Sequence, residues 1–310
     1  MEAGAERPAL AAVLVVGTMA LYGLIDNFMR LVTAEAGLWQ FHFLRAGLAV
    51  AILVPMAWAF GATLRPRRPS RVLARSLLNS GAMVIYFGAL GFMPIAQVVA
   101  GLFTAPLFVV LFSVTLFGER VGPWRTFAVI LGFAGILLAL GLDAEDMTGW
   151  TLLPVLAGAL YGLGNLATRK WCAGEGTLVL LGGFFVMMFA WGALGCLVLW
   201  LNPLPVAEGA AGWATRGWVA PGGLFLVVIV VQGVGSLAGV GMLVRAYQVA
   251  NATLVAVFEN ALLVFATIWA AILWGEVPGP VEALGLVLVT AAGMLIALRE
   301  PRAAHQREEA

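Results

Sequence analysis

The sequence predicts an all-α integral membrane protein: ten transmembrane helices arranged as two inverted five-helix repeats. Three observations predict it. The chain is 62% hydrophobic and only 11% charged, against about 45–50% apolar and roughly 25% charged in a soluble domain, so most of its surface must face lipid. A bilayer core about 30 Å thick needs roughly 20 residues of apolar helix, and ten such runs occur. Parts of the first half recur, in order, in the second. A transmembrane barrel would instead show alternating segments of about ten residues, which this chain lacks.

The runs read, in order, as 9–31, 38–61, 72–92, 95–117, 123–141, 150–170, 177–201, 221–244, 251–275 and 279–298. The first lacks a basic leader and a clear small-residue cleavage site, and so reads as a span. Turn-rich polar breaks, among them "GATLRPRRPSR", "GERVGP", "LDAEDMTG" and "GEVPGP", separate the others. Pro94 and Pro106 are expected to kink the fourth span. With the N-terminus in the cytoplasm, 14 of the 17 Lys and Arg fall on the cytoplasmic side, and the acidic loop Asp143, Glu145, Asp146 falls outside. The excess of basic residues on the cytoplasmic side sets orientation, so both termini are expected in the cytoplasm of an inner-membrane protein. Net charge is +1, which gives no reason to expect a nucleic-acid partner. Cys172 and Cys196 have no disulfide or metal-site spacing.

The repeat is visible in the residues. "PIAQVVAGLFTAPLFVVLFSVTLFGE" (94–119) aligns without a gap on "NATLVAVFENALLVFATIWAAILWGE" (251–276), and Gly-Pro follows each three residues later. "GILLAL" (135–140) matches "GMLIAL" (293–298), and Tyr22-Gly23-Leu24 matches Tyr161-Gly162-Leu163. The units are expected at 1–145 and 146–298, with a cytoplasmic tail at 299–310. Five spans is an odd number, so the second unit inserts upside down relative to the first, a recurrent plan of secondary transporters.

An ionisable group inside a span costs about 2.5–3.5 kcal/mol on the insertion scale and faces a cavity or a partner. In "YGLIDNFMRL" (22–31), Asp26 and Arg30 are expected on one helix face with Tyr22, beside Asn27. At 1.5 Å per residue, Asp26 lies roughly 26 Å from the inner edge of its span, and Arg45 about 10 Å from the outer edge of the second. Three readings of Asp26 stand open: an ion pair with Arg45, a cavity wall, or a proton-coupling acid. His42, one turn from Arg45, is a packed residue, a substrate contact or a proton acceptor. With one other histidine, His305, no histidine metal site is expected. Glu259, beside Asn260, lies about 12 Å into the ninth span. The repeat places Leu102 opposite it, so the shared scaffold does not require the acid. An unpaired carboxylate there takes a proton or a cation. Asn165, Gln97, Gln232 and Ser236 are candidates for bonds between helices, and Trp191 and Trp269 are deep enough to line a cavity.

Ten spans, "FLRAGLA" at 43–49, two apolar-Gly-Glu signatures and above all "RAYQVANATLVAVFENALLVFATIWAAILWGEVP" at 245–278 resemble EamA-type members of the drug/metabolite transporter superfamily. The resemblance covers roughly 9–298. It implies a central cavity built by spans three, four, eight and nine, and alternating access by rocking helices. It points to Tyr86, Gln97, Gln232, Glu259 and Asn260 in the cavity. Some relatives carry Pro-Phe-Glu at the span-nine acid; Val257 stands in that proline's place here.

The expected function is a secondary active or facilitative transporter of small polar or amphipathic metabolites (amino acids, amines or related solutes), with export favoured. The alternative is a proton-coupled importer of a cationic metabolite. No cofactor is expected, coupling to protons stays open, and monomer and homodimer are not distinguished. Gly-x-Ser-x-Gly, His-Glu-x-x-His and any repeated charged ring are missing, so neither a membrane enzyme nor a channel is expected.

Overall fold

The computed structural model describes residues 7–89, 93, 95–139, 150 and 152–308. Among these every regular element is helical: α1 (Pro8–Asp26), α2 (Leu38–Ala59), α3 (Pro69–Ala89), α4 (Ile95–Leu102), α5 (Ala105–Thr115), α6 (Pro123–Ala139), α7 (Leu152–Lys170), α8 (Thr177–Leu201), α9 (Gly223–Val249), α10 (Ala252–Glu259), α11 (Ala261–Trp274) and α12 (Pro280–Glu308). Six segments are long and apolar enough to cross a membrane: α1, α2, α3, α8, α9, and α10 with α11 taken together. Shorter apolar helices accompany them. The chain is a multi-pass membrane protein. The acidic loop at 143–146, Pro94, and the side chains of Arg30 and Gln97 lie outside the described residues.

The helices depart from the expected runs in instructive places. The first stops at Asp26 and continues as a turn and a 3₁₀ segment, Met29–Leu31, so Asp26 and Arg30 do not share an α-helical face. Asn27 is the local cause. Its Nδ2 donates to Gly23 O (2.7 Å) and to Ala266 O of α11 (3.2 Å), and its Oδ1 accepts from Trp274 Nε1 (3.2 Å). A side chain that bonds nearby carbonyls competes with the helix ladder. Asn27 therefore ends α1 and ties it to α11, instead of facing the cavity.

The fourth and ninth runs are each broken in two. Pro106 has no N–H for the carbonyl of Leu102, and the Thr104 hydroxyl donates to Gly101 O (2.6 Å) where α4 ends. The break between α10 and α11 has no proline: Asn260 N–H bonds Val257 O (3.2 Å), three residues back, the tighter 3₁₀ spacing. Val257 in place of a proline thus does not keep this span straight. At the other end of the chain α12 runs on to Glu308, past the expected tail boundary at 298. The Ala, Arg, Glu and Gln residues there favour helix in water as well.

The main packing runs between α6 and α12, α2 and α8, α1 and α9, and α3 and α7. In addition α1 packs on α11, α7 on α4 and α5, α2 on α9, and α3 on α8. Trp191 and Trp269 serve this packing: their indole N–H groups donate to Ser80 Oγ and Ala20 O, both at 3.1 Å, and neither ring lines the central cavity.

One end of the bundle is clamped. Glu175, only 5% exposed, accepts from the backbone N–H groups of Arg67 (3.0 Å) and Arg68 (2.6 Å) just before α3. Gln248 of α9 donates to Glu175 O (2.9 Å), and Thr177 donates to Gln248 Oε1 (2.7 Å). Arg7 N–H bonds Val249 O (2.8 Å) at the same end. Orphaning a buried donor costs about 1–3 kcal/mol. Glu175→Ala is therefore expected to lower the melting temperature of the detergent-purified protein measurably; an unchanged melting temperature would show that water replaces the carboxylate at no cost.

Candidate functional site

A cavity occupies the middle of the bundle, with about 1130 Å³ of empty space including its mouth. Eight of the eleven predicted site residues line it: Tyr22, Asp26, Arg45, Tyr86, Asn165, Gln232, Glu259 and Asn260. Asn27 is engaged by α11, as described above. His42 sits behind the wall: it is fully buried, its ring lies 5.1 Å from that of Phe87, and its Nδ1 is 3.4 Å from Arg45 Nη2. The Gln97 side chain lies outside the described residues.

The broken ninth run positions the inner acid. Because α10 ends at Glu259, this carboxylate projects where α7 and α9 converge. Tyr161 Oη donates to Glu259 Oε2 (2.8 Å), and Tyr247 Oη donates to Glu259 Oε1. Asn165 Nδ2 in turn donates to Tyr247 Oη (3.2 Å). The acid is thus held by hydroxyls from two other helices, with no base in ion-pair contact among the described residues. Beside it, Asn260 Oδ1 is buried without a hydrogen-bond partner.

Nearer the clamped end, Arg75 of α3 enters the wall. Counted in the sequence among the basic residues of a cytoplasmic flank, it is only 2% exposed. Nε donates to Thr168 Oγ1 (2.9 Å) and Nη1 to Leu180 O (2.9 Å). Asn79, with its amide oxygen turned to the guanidinium, accepts from Nε (3.2 Å) and Nη2 (3.3 Å). A buried arginine needs several such acceptors, and α3, α7 and α8 supply them.

At the opposite end Asp26 is exposed. It accepts from Gln232 Nε2 (3.3 Å), which also donates to Ile25 O (2.9 Å). Arg45, 5% exposed, lies with its guanidinium carbon 5.0 Å from the Phe41 ring centre and 5.4 Å from that of Phe87. Asp26 and Arg45 share a cavity but make no ion pair among the described residues, so of the three readings of Asp26 the ion pair between the first two spans is not formed. Tyr22 closes the wall between the two ends. Its ring lies against Gly239, where an added Cβ would come within 2.8 Å of Tyr22 Cζ; a side chain on α9 there would displace the ring.

Tyr161, Tyr247, Arg75 and Asn79 were not among the predicted site residues. A compositional signal was present. The chain has four tyrosines beside eleven tryptophans. All four tyrosines line the cavity, and none of the tryptophans does. A phenol in an apolar span needs a partner for its hydroxyl, which makes scarce tyrosines markers of a polar interior.

No group of three or more His, Cys, Asp or Glu is placed to hold a metal ion among the described residues. Enclosed polar groups on several helices suit binding of a solute. Comparison with known proteins points the same way. The profile of the EamA-like transporter family matches residues 9–141. The chain is 27% identical to a riboflavin transporter of Rhizobium johnstonii, over 92% of this chain and 91% of that one. These matches support an EamA-type transporter of the drug/metabolite transporter superfamily. Other relatives of this chain differ in what their names say they carry. It is 25% identical to a pseudopaline exporter of Pseudomonas aeruginosa, over 87% of this chain and 90% of that one. It is 24% identical to an S-adenosylmethionine uptake transporter of Rickettsia felis, over 90% and 88%. A solved crystal structure superposes with a TM-score of 0.75 over 96% of this chain and 98% of that one, at 22% identity, which speaks to the fold alone. The relatives are named as transporters, not enzymes, and this chain is likewise a transporter and not an enzyme.

Proposed function

We propose that this transporter is a carrier for small polar or amphipathic metabolites, working by alternating access in the inner membrane with both termini in the cytoplasm, and favouring export. The observation that carries the reading is the asymmetry of the cavity. Asp26 is exposed at one end, whereas Glu259, Arg75 and Asn79 are buried towards the end clamped by Glu175. With the N-terminus inside, this is a cavity open to the outside and shut towards the cytoplasm. Glu259 is the candidate for a coupled proton or for a cationic group of the solute, and the second reading, a proton-coupled importer of a cationic metabolite, rests on the same acid.

Rocking between two such states follows if the chain is a ten-span inverted repeat divided at 145/146. Two facts support that division. The broken runs end their first helices at Leu102 and Glu259, related by the same offset of about 157 residues as the aligned motifs. The strongest helix pairs also survive exchange of the halves. Replacing α1, α2, α3, α4 with α5, and α6 by α7, α8, α9, α10 with α11, and α12 turns the α1–α9 contact into α7–α3. It turns α1–α11 into α7–α5 and α2–α9 into α8–α3, and leaves α2–α8 and α6–α12 unchanged. Halves whose main contacts exchange in this way suit a second state in which each half takes the other's arrangement.

The test is flux into proteoliposomes over a panel of amines, amino acids and flavins. A carrier gives saturable uptake that an excess of the same solute on the opposite side accelerates. Flux that neither saturates nor responds to the opposite side would overturn the reading in favour of a channel.

A further inference from the structure

Some helix pairs of the bundle have no counterpart in the other half. Exchange of the halves turns α7–α9 packing into α1–α3, α7–α10 into α1–α4, and α8–α9 into α2–α3. The first pair of each couple is packed here, whereas the second makes at most marginal contact among the described residues. When each half takes the other's arrangement, a pair whose counterpart is already present is kept. A pair without one is given up, and its counterpart forms. Opening towards the cytoplasm therefore parts α9 and α10 from α7, and closing the outer end brings α3 and α4 onto α1.

Hydrogen bonds mark the same divide. Tyr161 to Glu259 joins α7 to α10, and Asn165 to Tyr247 joins α7 to α9, both pairs without a counterpart. In the first half Tyr22 stands in the place of Tyr161, and Asp26 at the same spacing in the place of Asn165. Tyr247 lies in the last turn of α9, at the inner end, as Tyr86 lies in the last turn of α3, at the outer end. Each end of the cavity thus has one acid and two tyrosines: Glu259 with Tyr161 and Tyr247, and Asp26 with Tyr22 and Tyr86, all of them wall residues. The inner set is bonded and the outer set is not. Asp26 is exposed and accepts from Gln232. Tyr86 packs its ring on Phe87, 5.2 Å between centres, and its hydroxyl makes no hydrogen bond among the described residues.

We propose that Asp26 and Tyr86 are the latch of the outer gate. As α3 closes on α1, Tyr86 Oη donates to the Asp26 carboxylate, while the bonds from α7 to Tyr247 and Glu259 open. A carboxylate has about four lone-pair sites, so the bond from Gln232 need not be given up. It joins α1 to α9, a pair whose counterpart, α3–α7, is already present. Leu102 stands in the place of Glu259 in the first half, so the outer latch carries its acid on α1, not on α4. The inference rests on the carrier reading above and on its exchangeable halves; it names residues that position the helices, not a solute.

The experiment reads which end is open. In the full-length protein Cys172 and Cys196 are replaced by alanine, and Val244→Cys serves as the reporter. Val244 is 2% exposed, lines the cavity and clusters with Val179 and Leu180 of α8, a contact that opening towards the cytoplasm breaks. A charged maleimide then labels the reporter in proportion to the inward-open fraction. Tyr161→Phe is expected to raise the labelling rate about threefold or more, and Tyr86→Phe to lower it by a similar factor, the shift that losing one buried hydrogen bond gives. A purely structural Tyr86 predicts no change, because its hydroxyl has no bond to lose in the present state; for the same reason Tyr86→Phe is expected to fold. Asp26→Asn keeps an acceptor oxygen without the charge. It should lower the rate less, and combined with Tyr86→Phe should lower it by less than the product of the two. An unchanged or faster rate for Tyr86→Phe, strictly multiplicative effects, or no labelling even in Tyr161→Phe overturns the latch. Saturable counterflow in liposomes would then still uphold the carrier. The expected labelling pattern with no saturable counterflow for any solute would instead strike the carrier reading and leave the latch standing.

Discussion

Glu259→Gln is expected to fold and melt close to the parent protein while losing pH-dependent accumulation of solute. Glu259→Ala is expected to lose both stability and transport. The difference follows from the two tyrosines. The carboxylate accepts from Tyr161 Oη and Tyr247 Oη, on α7 and α9. Glutamine keeps one acceptor oxygen for one hydroxyl and offers an amide N–H to the other oxygen, so each tyrosine keeps one hydrogen bond to this side chain and only one hydroxyl must turn its proton elsewhere. Alanine removes both acceptors and leaves two hydroxyls unsatisfied, at about 1–3 kcal/mol each. The amide cannot take up or release a proton, so a gradient-driven step through this position stops. A loss of about tenfold in accumulation corresponds to roughly 1.4 kcal/mol, a small demand on a buried charge. Accumulation against a pH gradient, with counterflow at symmetric pH as the control, measures it. Accumulation by Glu259→Gln with the parental pH dependence would remove Glu259 from coupling and leave it as a structural acceptor.

Gly192→Ala is expected to destabilise the bundle more than its one added methyl group suggests. A Cβ at Gly192 of α8 would lie 2.7 Å from Phe43 Cα and 2.9 Å from Trp39 O, both backbone atoms of α2. Backbone cannot rotate aside, so the two helices must separate along the seam. Close approach through small residues is a main source of helix association in lipid, and overpacking costs about 1–3 kcal/mol even where side chains yield. Gly17→Ala is the control: nothing lies within 4 Å of a Cβ there, and removing a helical glycine gains up to about 1 kcal/mol. Melting temperatures and the folded yield of the two variants should therefore move in opposite directions. Equal melting temperatures would show that α2 and α8 can part at no cost.

Much of the cavity wall was legible in the sequence, residue by residue. Asp26, Arg45, Gln232 and Glu259 declare themselves because each is too polar for the apolar run that contains it. Arg75 did not, because it lies seven residues after Arg68 at the edge of a basic loop, where an arginine is ordinary. Only the packing of α3 against α7 and α8 takes it out of water. Asn27 misled in the other direction: its neighbourhood to Asp26 placed it in the cavity, whereas one residue along the chain it faces α11. The breaks in the fourth and ninth runs were half legible. Pro106 announces the first, and nothing local announces the second at Asn260.

The amino-acid sequence by itself determined that the chain is helical, embedded in lipid and crosses it several times, because those properties depend on the length and apolarity of local runs. It also determined that acids, bases and amides would be drawn to an interior, since lipid offers them no partner. Only the tertiary structure decided which partner each one finds: tyrosines for Glu259, a glutamine for Asp26, aromatic rings for Arg45. The reason is physical. When lipid and core are equally apolar, a helix carries no stripe that fixes its rotation, so the neighbour that each polar group faces is set by how whole helices pack.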